Sequence, residues 1–403
     1  MMNFDLFDGA WAGSAPSSDA TLDASLGAST EPFGAAPAIL AAATALPPNV
    51  IEQQSIATLL KALWGEKYDQ SRRWRSTFEQ IQRSVRIDRR YLALPVSEYP
   101  ALDSFAKTNA AWTREAPELG AAAARSALAA AGMTARDVDH LFFVTGTGIA
   151  TPSLDARIVN RLGMRPDVRR TPIFGLGCAG GVAGVIRAAD VLRGFPGQVA
   201  MVVSAELCSL TLQRTDDSVA NIIASALFGD GAAAVLLGGA RMANRGAGTT
   251  PRVIATRSVF YPDSERMMGW DVVDSGLKIV LSPAIPELVR EHLGGDVDAM
   301  LAEQGLARSA ISHWIAHTGG NRVLEAVATA LDLPPGALDR SWRLLAATGN
   351  LSSASVLFVL RDLFEERAAR AGELDSGEYG RGDYGMMLAM GPGFCAELAL
   401  LRW

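Results

Sequence analysis

Two stretches of the chain repeat each other at long range, and that repeat restricts the fold more than any other feature. Gly132-Met-Thr-Ala-Arg-Asp-Val-Asp-His140 leads into the apolar run Leu141-Phe-Phe-Val and then Thr145-Gly146. Gly305-Leu-Ala-Arg-Ser-Ala-Ile-Ser-His313 leads into Trp314-Ile-Ala-His317 and then Thr318-Gly319. In both copies the glycine and the first histidine stand eight positions apart. The copies are about 173 residues apart, too long for a solenoid period. The pattern predicts a duplicated α/β half, with the two halves packed as one unit.

The rest of the chain fits that frame. Gln198–Ser204 and Ala232–Leu237 are continuous apolar runs, as buried strands should be. Ile39–Ala45, Gly385–Met390 and Cys395–Leu401 read as further strands, the last two bracketing Gly391-Pro392-Gly393. Asn49–Trp64, Ala106–Ala131, Pro283–Leu293 and Asn321–Leu331 read as helices. Residues 239–251, rich in Gly, Ala and Arg and ending in Pro251, mark the natural boundary. The expected organisation is a half over 39–245, a half over 246–403, and a disordered or loosely attached extension over 1–38.

Composition narrows the function. A chain of 403 residues, 49% hydrophobic, can bury a large core. Its net charge of −6 argues against a nucleic-acid surface. Three cysteines do not make a disulfide framework and suit a reducing cytosol, so a cytoplasmic protein is expected. Four histidines without Cys-x-x-Cys or His-Glu-x-x-His spacing give no metal signal. The longest apolar run, Val199–Leu212, is interrupted by Glu206, so no membrane span is expected. Met1–Phe7 carries Asp5 and no basic region, unlike a signal peptide.

The chemistry concentrates at Phe174-Gly-Leu-Gly-Cys178-Ala-Gly-Gly-Val182. A β-prone segment from Thr171 runs into glycines, and a buried helix starts after Cys178. The helix N-terminus favours a thiolate there. Gly175-x-Gly177-x-x-Gly180 also matches a dinucleotide fingerprint, but a cysteine in that loop would crowd a pyrophosphate. Glu206 also comes too late for the ribose. An inert buried cysteine stays open until partners are found.

Two other loops have the same build. His317 follows a β-prone run and precedes Thr318-Gly-Gly-Asn321, and Asn350 lies in Thr348-Gly-Asn-Leu-Ser-Ser-Ala-Ser355. Alone, His317 reads as a structural histidine and Asn350 as a helix cap. Together with Cys178 they read as a nucleophile, a base and an oxyanion donor. His140 and His313 sit at matching repeat positions, which suggests structural roles, and Cys395 reads as core. The run Arg72, Arg73, Arg75, Arg83, Arg86, Arg89 and Arg90 is either a solvated helix face or a cradle for a phosphorylated carrier.

GLGCAGG, HTGGNRVLEAV, GNLSSAS and MGPGF, in this order, resemble the type III polyketide synthases, the chalcone synthase-like branch of the thiolase superfamily. The resemblance covers residues 35–403, including Ser204–Gln213 and Ala226–Val235, and is greatest to bacterial alkylresorcinol and alkylpyrone synthases. It implies a thiolase-like duplicated αβαβα layered fold and a homodimer. It also implies decarboxylative condensation of a medium- to long-chain acyl-CoA with malonyl-CoA, with no cofactor beyond the CoA thioesters.

By the same resemblance Cys178 carries the acyl chain, paired with His317 as an ion pair, and His317 and Asn350 hold the malonyl-CoA thioester carbonyl. Phe228 is the gate between the CoA tunnel and the cavity. Thr147, Cys208, Thr211 and Ser352 fall at cavity positions, and Ile279 stands where the family usually has phenylalanine. Arg83 is a candidate for the CoA phosphates.

The alternatives are a synthase primed by malonyl-CoA or an aromatic starter, giving a naphthalene or dihydroxyphenylacetate-type product, and a ketoacyl synthase III-like enzyme. That last group lacks the Phe228 and Gly391-Pro-Gly393 context. A silent acyl-binding protein on the same fold would not need all three polar residues.

Overall fold

The computed structural model describes residues 36–242, 250–373 and 382–403. Most of the expected extension, residues 1–35, and the centre of the expected boundary, residues 243–249, lie outside the described residues.

Nine strands form one sheet in the order Ile311–Ala316, Tyr384–Gly391, Cys395–Arg402, Arg252–Phe260, Ala38–Ala45, Asp230–Gly238, Val199–Leu207, His140–Val144, Arg169–Ile173. The two repeat strands hold corresponding places. His140–Val144 runs parallel to Val199–Leu207, and Ile311–Ala316 parallel to Tyr384–Gly391. The halves meet where Ala38 pairs with Arg252, flanked by bonds from Ile39 N to the Pro251 carbonyl and from Val253 N to that of Pro37.

Burial on both faces explains why the central strands are apolar without alternation. Between the halves lie helices Gly180–Gly194 and Ser355–Glu373. Val182, Val185 and Ile186 from one, and Val356, Leu357 and Phe358 from the other, share a core with strand residues of both halves. On the outer face of the first half, helix Phe105–Ala130 packs Trp112 and Ala123 against Phe143 and Met201. On that of the second, helices Ile285–Glu303 and Asn321–Ala330 pack Val289 and Leu324 against Met386 and Leu398. The result is five layers, α, β, α, β, α: the duplicated α/β halves that the repeat predicts, in the thiolase-like arrangement that the resemblance implies.

The two central helices touch at their starts. A Cβ on Gly181 would stand 2.1 Å from the Ser353 carbonyl oxygen, so only glycine lets the Cys178 helix approach the loop after Asn350.

Local differences from the sequence reading have local causes. Asn49–Trp64 is not one helix: Asn49–Glu52 pairs with Arg89–Leu92, and the helix begins at Gln53. Pro47-Pro48 and the β-branched Val50 and Ile51 favour the strand. The basic run also divides. Ser71 caps helix Arg72–Ser84 by accepting from Trp74 N, whereas Arg90 is drawn into the interior, only 3% exposed. His140 and His313 are structural as read, bonded to Gln198 and Arg367. No helix among the described residues is long and apolar enough to cross a membrane.

Candidate active site

Cys178 sits in a 3-10 turn, Gly177–Ala179, that continues into helix Gly180–Gly194. The turn is closed by the hairpin at Gly391-Pro392-Gly393. A Cβ on Gly177 would stand 2.7 Å from Pro392 Cδ, and one on Gly391 2.4 Å from the Leu176 carbonyl oxygen. Two glycine motifs far apart in sequence are therefore one contact.

His317 follows strand Ile311–Ala316, its N–H bonded to the Leu388 carbonyl at 3.0 Å. Asn350 uses its side chain twice. Its Oδ1 accepts from Ser352 N at 2.8 Å, the capping role expected of it alone. The same Oδ1 also lies 3.5 Å from Ser355 Oγ, which donates to it, and this fixes the carboxamide in the cavity it shares with Cys178. Cys178, His317, Asn350 and Ser352 line one cavity of about 400 Å³.

Burial sets the electrostatics. It pushes the Cys178 thiol up to about 12, helped by the nearby Glu206 carboxylate and opposed by the polar side chains of Ser352 and Asn350. It holds His317 down at about 4, and neither ring nitrogen has a hydrogen-bond partner. Burial therefore works against a thiolate and an imidazolium alike, opposing the helix-terminus effect that favours the ion pair.

Glu206 ends strand Val199–Leu207 completely buried. It accepts from Gly146 N at 3.0 Å, Thr147 Oγ1 at 2.9 Å, Ser352 Oγ at 3.3 Å and from Ser353 Oγ. Cys178 Sγ lies 4.0 Å from Ser352 Oγ, so a two-bond path joins the thiol to this carboxylate. Ser352 holds its place at φ +50. Burial raises the Glu206 pKa, with its four donors working against that.

Two of the expected cavity residues line a different space from Cys178. Cys208 and Thr211 line a second space of about 230 Å³ with apolar walls from Ile56, Leu60 and Leu210. Phe228, Trp270 and Ile279 line both and form the wall between them. Thr147 lines neither: its hydroxyl is spent on Glu206 and on Leu207 N. Arg83 is also absent from the Cys178 cavity, its exposed side chain 3.9 Å from Glu79. Where that cavity reaches solvent, the basic side chain is Arg322.

Glu206, Trp270 and Arg322 were not picked out from sequence. Glu206 carried a signal, a lone acid inside a continuous apolar strand. Among the described residues no group of three or more His, Cys, Asp or Glu could hold a metal ion.

The family model for chalcone and stilbene synthases, N-terminal domain, matches residues 28–241, and that for the C-terminal domain matches residues 252–403. The chain belongs to the chalcone and stilbene synthase family. It is a type III polyketide synthase, an acyltransferase. The synthase is 49% identical over 365 residues to the 1,3,6,8-tetrahydroxynaphthalene synthase of Streptomyces peucetius subsp. caesius, covering 91% of this chain and 93% of the relative. It is 35% identical over 329 residues to the 3,5-dihydroxyphenylacetyl-CoA synthase of Amycolatopsis orientalis, covering 79% and 83%. The crystal structure of the 1,3,6,8-tetrahydroxynaphthalene synthase of Streptomyces coelicolor, a bacterial type III polyketide synthase, superposes with a TM-score of 0.81. That match has 29% identity and covers 91% of this chain and 99% of that one.

Proposed function

We propose that the synthase makes a naphthalene-type polyketide with malonyl-CoA as both starter and extender. The observation that carries this is the 49% identity to a tetrahydroxynaphthalene synthase over nearly the whole of both chains. The wall of Phe228, Trp270 and Ile279 supports it, since it bounds the Cys178 cavity and suits a compact chain. The alkylresorcinol or alkylpyrone reading becomes the second. One observation favours it: the apolar space beyond that wall, which could take an alkyl tail.

Cys178 Sγ attacks the starter thioester while the neutral His317 takes the thiol proton, which then goes to the departing CoA sulfur. The next malonyl-CoA places its thioester oxygen between a His317 N–H and the Asn350 NH2. Its carboxylate leaves as CO2, and the freed electron pair forms an enolate on that oxygen. Two neutral donors stabilise charge only as it develops. The enolate carbon attacks the Cys178 thioester, and the sulfur departs. The half over 39–245 supplies the nucleophile and the half over 246–403 both donors. No cofactor beyond the CoA thioesters is required. A homodimer belongs to the reading; exposed Phe174, directly after the edge strand Arg169–Ile173, supports it.

The test is incubation with malonyl-CoA alone and with malonyl-CoA plus a panel of acyl-CoAs, products being identified by mass. A fused aromatic product from malonyl-CoA alone is expected. No product until a medium- or long-chain acyl-CoA is added would overturn the reading in favour of the second.

A further inference from the structure

Arg90 belongs neither to a solvated face nor to a phosphate cradle. It stands on strand Arg89–Leu92 and is 3% exposed, with the Asp230 carboxylate as a charged neighbour. Its Nη1 donates to two backbone carbonyls, those of Ser225 at 2.5 Å and Phe228 at 2.8 Å. Both belong to the end of helix Val219–Leu227, whose last carbonyls have no partner within the helix. A cation there also meets the negative end of the helix dipole.

The same side chain lies over a second loop. A Cβ on Gly349 would stand 2.6 Å from the Leu227 carbonyl oxygen and 3.2 Å from Arg90 Cδ. A Cβ on Gly229 would stand 2.5 Å from the Thr348 carbonyl oxygen and 3.7 Å from Arg90 Cβ. The Phe228 and Asn350 loops touch through glycines, with the arginine stem packed against the contact. Three hydrogen bonds to Asp230 fix the next residues: Ala93 N at 2.6 Å, Ser209 N at 2.7 Å and Ser209 Oγ at 2.5 Å.

We propose that Arg90 is a positioning residue for chain elongation, a buried cation that fixes the Phe228 gate and the Asn350 donor in one register. Methionine keeps much of the arginine stem but leaves the Ser225 and Phe228 carbonyls unpaired, so it should cost stability as well, and elongation is read separately from stability. The inference rests on the proposed role of Phe228 and Asn350 and adds the residue that holds them together.

The test compares Arg90→Met, Arg90→Lys and wild type, each alone and with Phe228→Ala. The readout is the ratio of full-length polyketide to shorter, early-released products, beside acylation of Cys178 and thermal stability. Arg90→Met should shift the ratio several-fold toward short products while Cys178 is still acylated, and Arg90→Lys should recover part of the loss. In the Phe228→Ala background the shift should shrink, because the gate ring is gone while the backbone link to Asn350 remains. A wild-type ratio in folded Arg90→Met, or an equal shift in both backgrounds, would overturn the proposal. If Arg90→Met does not fold, Arg90→Lys carries the same comparison. The ratio is taken over whatever products the wild type makes, so failure of the naphthalene reading would change the masses and leave this comparison intact.

Discussion

Phe228 and Asn350 are joined backbone to backbone. They form an isolated parallel β-bridge, with Asn350 N bonded to the Leu227 carbonyl at 2.9 Å and Gly229 N to the Asn350 carbonyl at 3.0 Å. One residue lines both cavities and the other lines the Cys178 cavity, where it is the proposed donor. The wall and the donor therefore cannot move independently.

Gly349 tests that link. Its φ of +73 and ψ of −164 are open to glycine alone, and a Cβ would strike the Leu227 carbonyl. Gly349→Ala should cost about 1–3 kcal/mol in denaturant unfolding and lower CO2 release from malonyl-CoA more than acylation of Cys178. Unchanged stability and unchanged decarboxylation would break the link.

Trp270 tests the wall. Trp270→Ala should open the Cys178 cavity to the apolar space and improve long-chain acyl-CoA starters. Each newly buried methylene is worth about 0.8 kcal/mol, or roughly fourfold in kcat/KM. Adding Cys208→Phe should cancel the gain by filling that space. A chain-length profile indifferent to both changes would place the wall elsewhere.

The parts legible in sequence were those with local signatures. Cys178, His317 and Asn350 each follow a strand or helix and sit beside glycines, and the 132–146 and 305–319 copies reported the duplication directly. What was not legible depends on long-range packing. Trp270 becomes a wall only because its hairpin, Met268–Val273 with Gly276–Leu281, places it 6.4 Å from Phe228. Thr147 was read as cavity lining, but Glu206, 59 positions away, claims its hydroxyl. Arg90 stood last in a row of arginines, and nothing local set it apart from those in solvent.

The pH dependence distinguishes a neutral pair from an ion pair. Burial raises the Cys178 pKa to about 12 and lowers that of His317 to about 4; a pair kept neutral in this way has a small thiolate fraction at neutral pH that grows as pH rises, with His317 uncharged. In the free enzyme, iodoacetamide labelling of Cys178 should climb steadily into the alkaline range with no break near pH 6.5. Glu206→Gln removes a nearby carboxylate and should speed labelling. A plateau from acid to neutral pH, or slower labelling in Glu206→Gln, would restore the ion pair.

The two donors should separate in kinetics. Asn350→Ala should still accept an acyl group on Cys178 yet lose decarboxylation by about 100- to 1,000-fold, or about 2.7–4 kcal/mol. His317→Ala should impair both half-reactions, because the imidazole also takes the thiol proton. Normal CO2 release by Asn350→Ala would remove that residue from the mechanism.

The central claim is that Cys178 carries the growing chain as a thioester. Intact-protein mass spectrometry and peptide mapping of Asn350→Ala after exposure to malonyl-CoA test it most directly, since that variant should load but not extend. A hydroxylamine-sensitive acyl adduct on the Cys178 peptide, absent from Cys178→Ala, is the predicted result. An adduct on Cys208 or Cys395, or none on Cys178 under conditions where the wild type turns over, would contradict it.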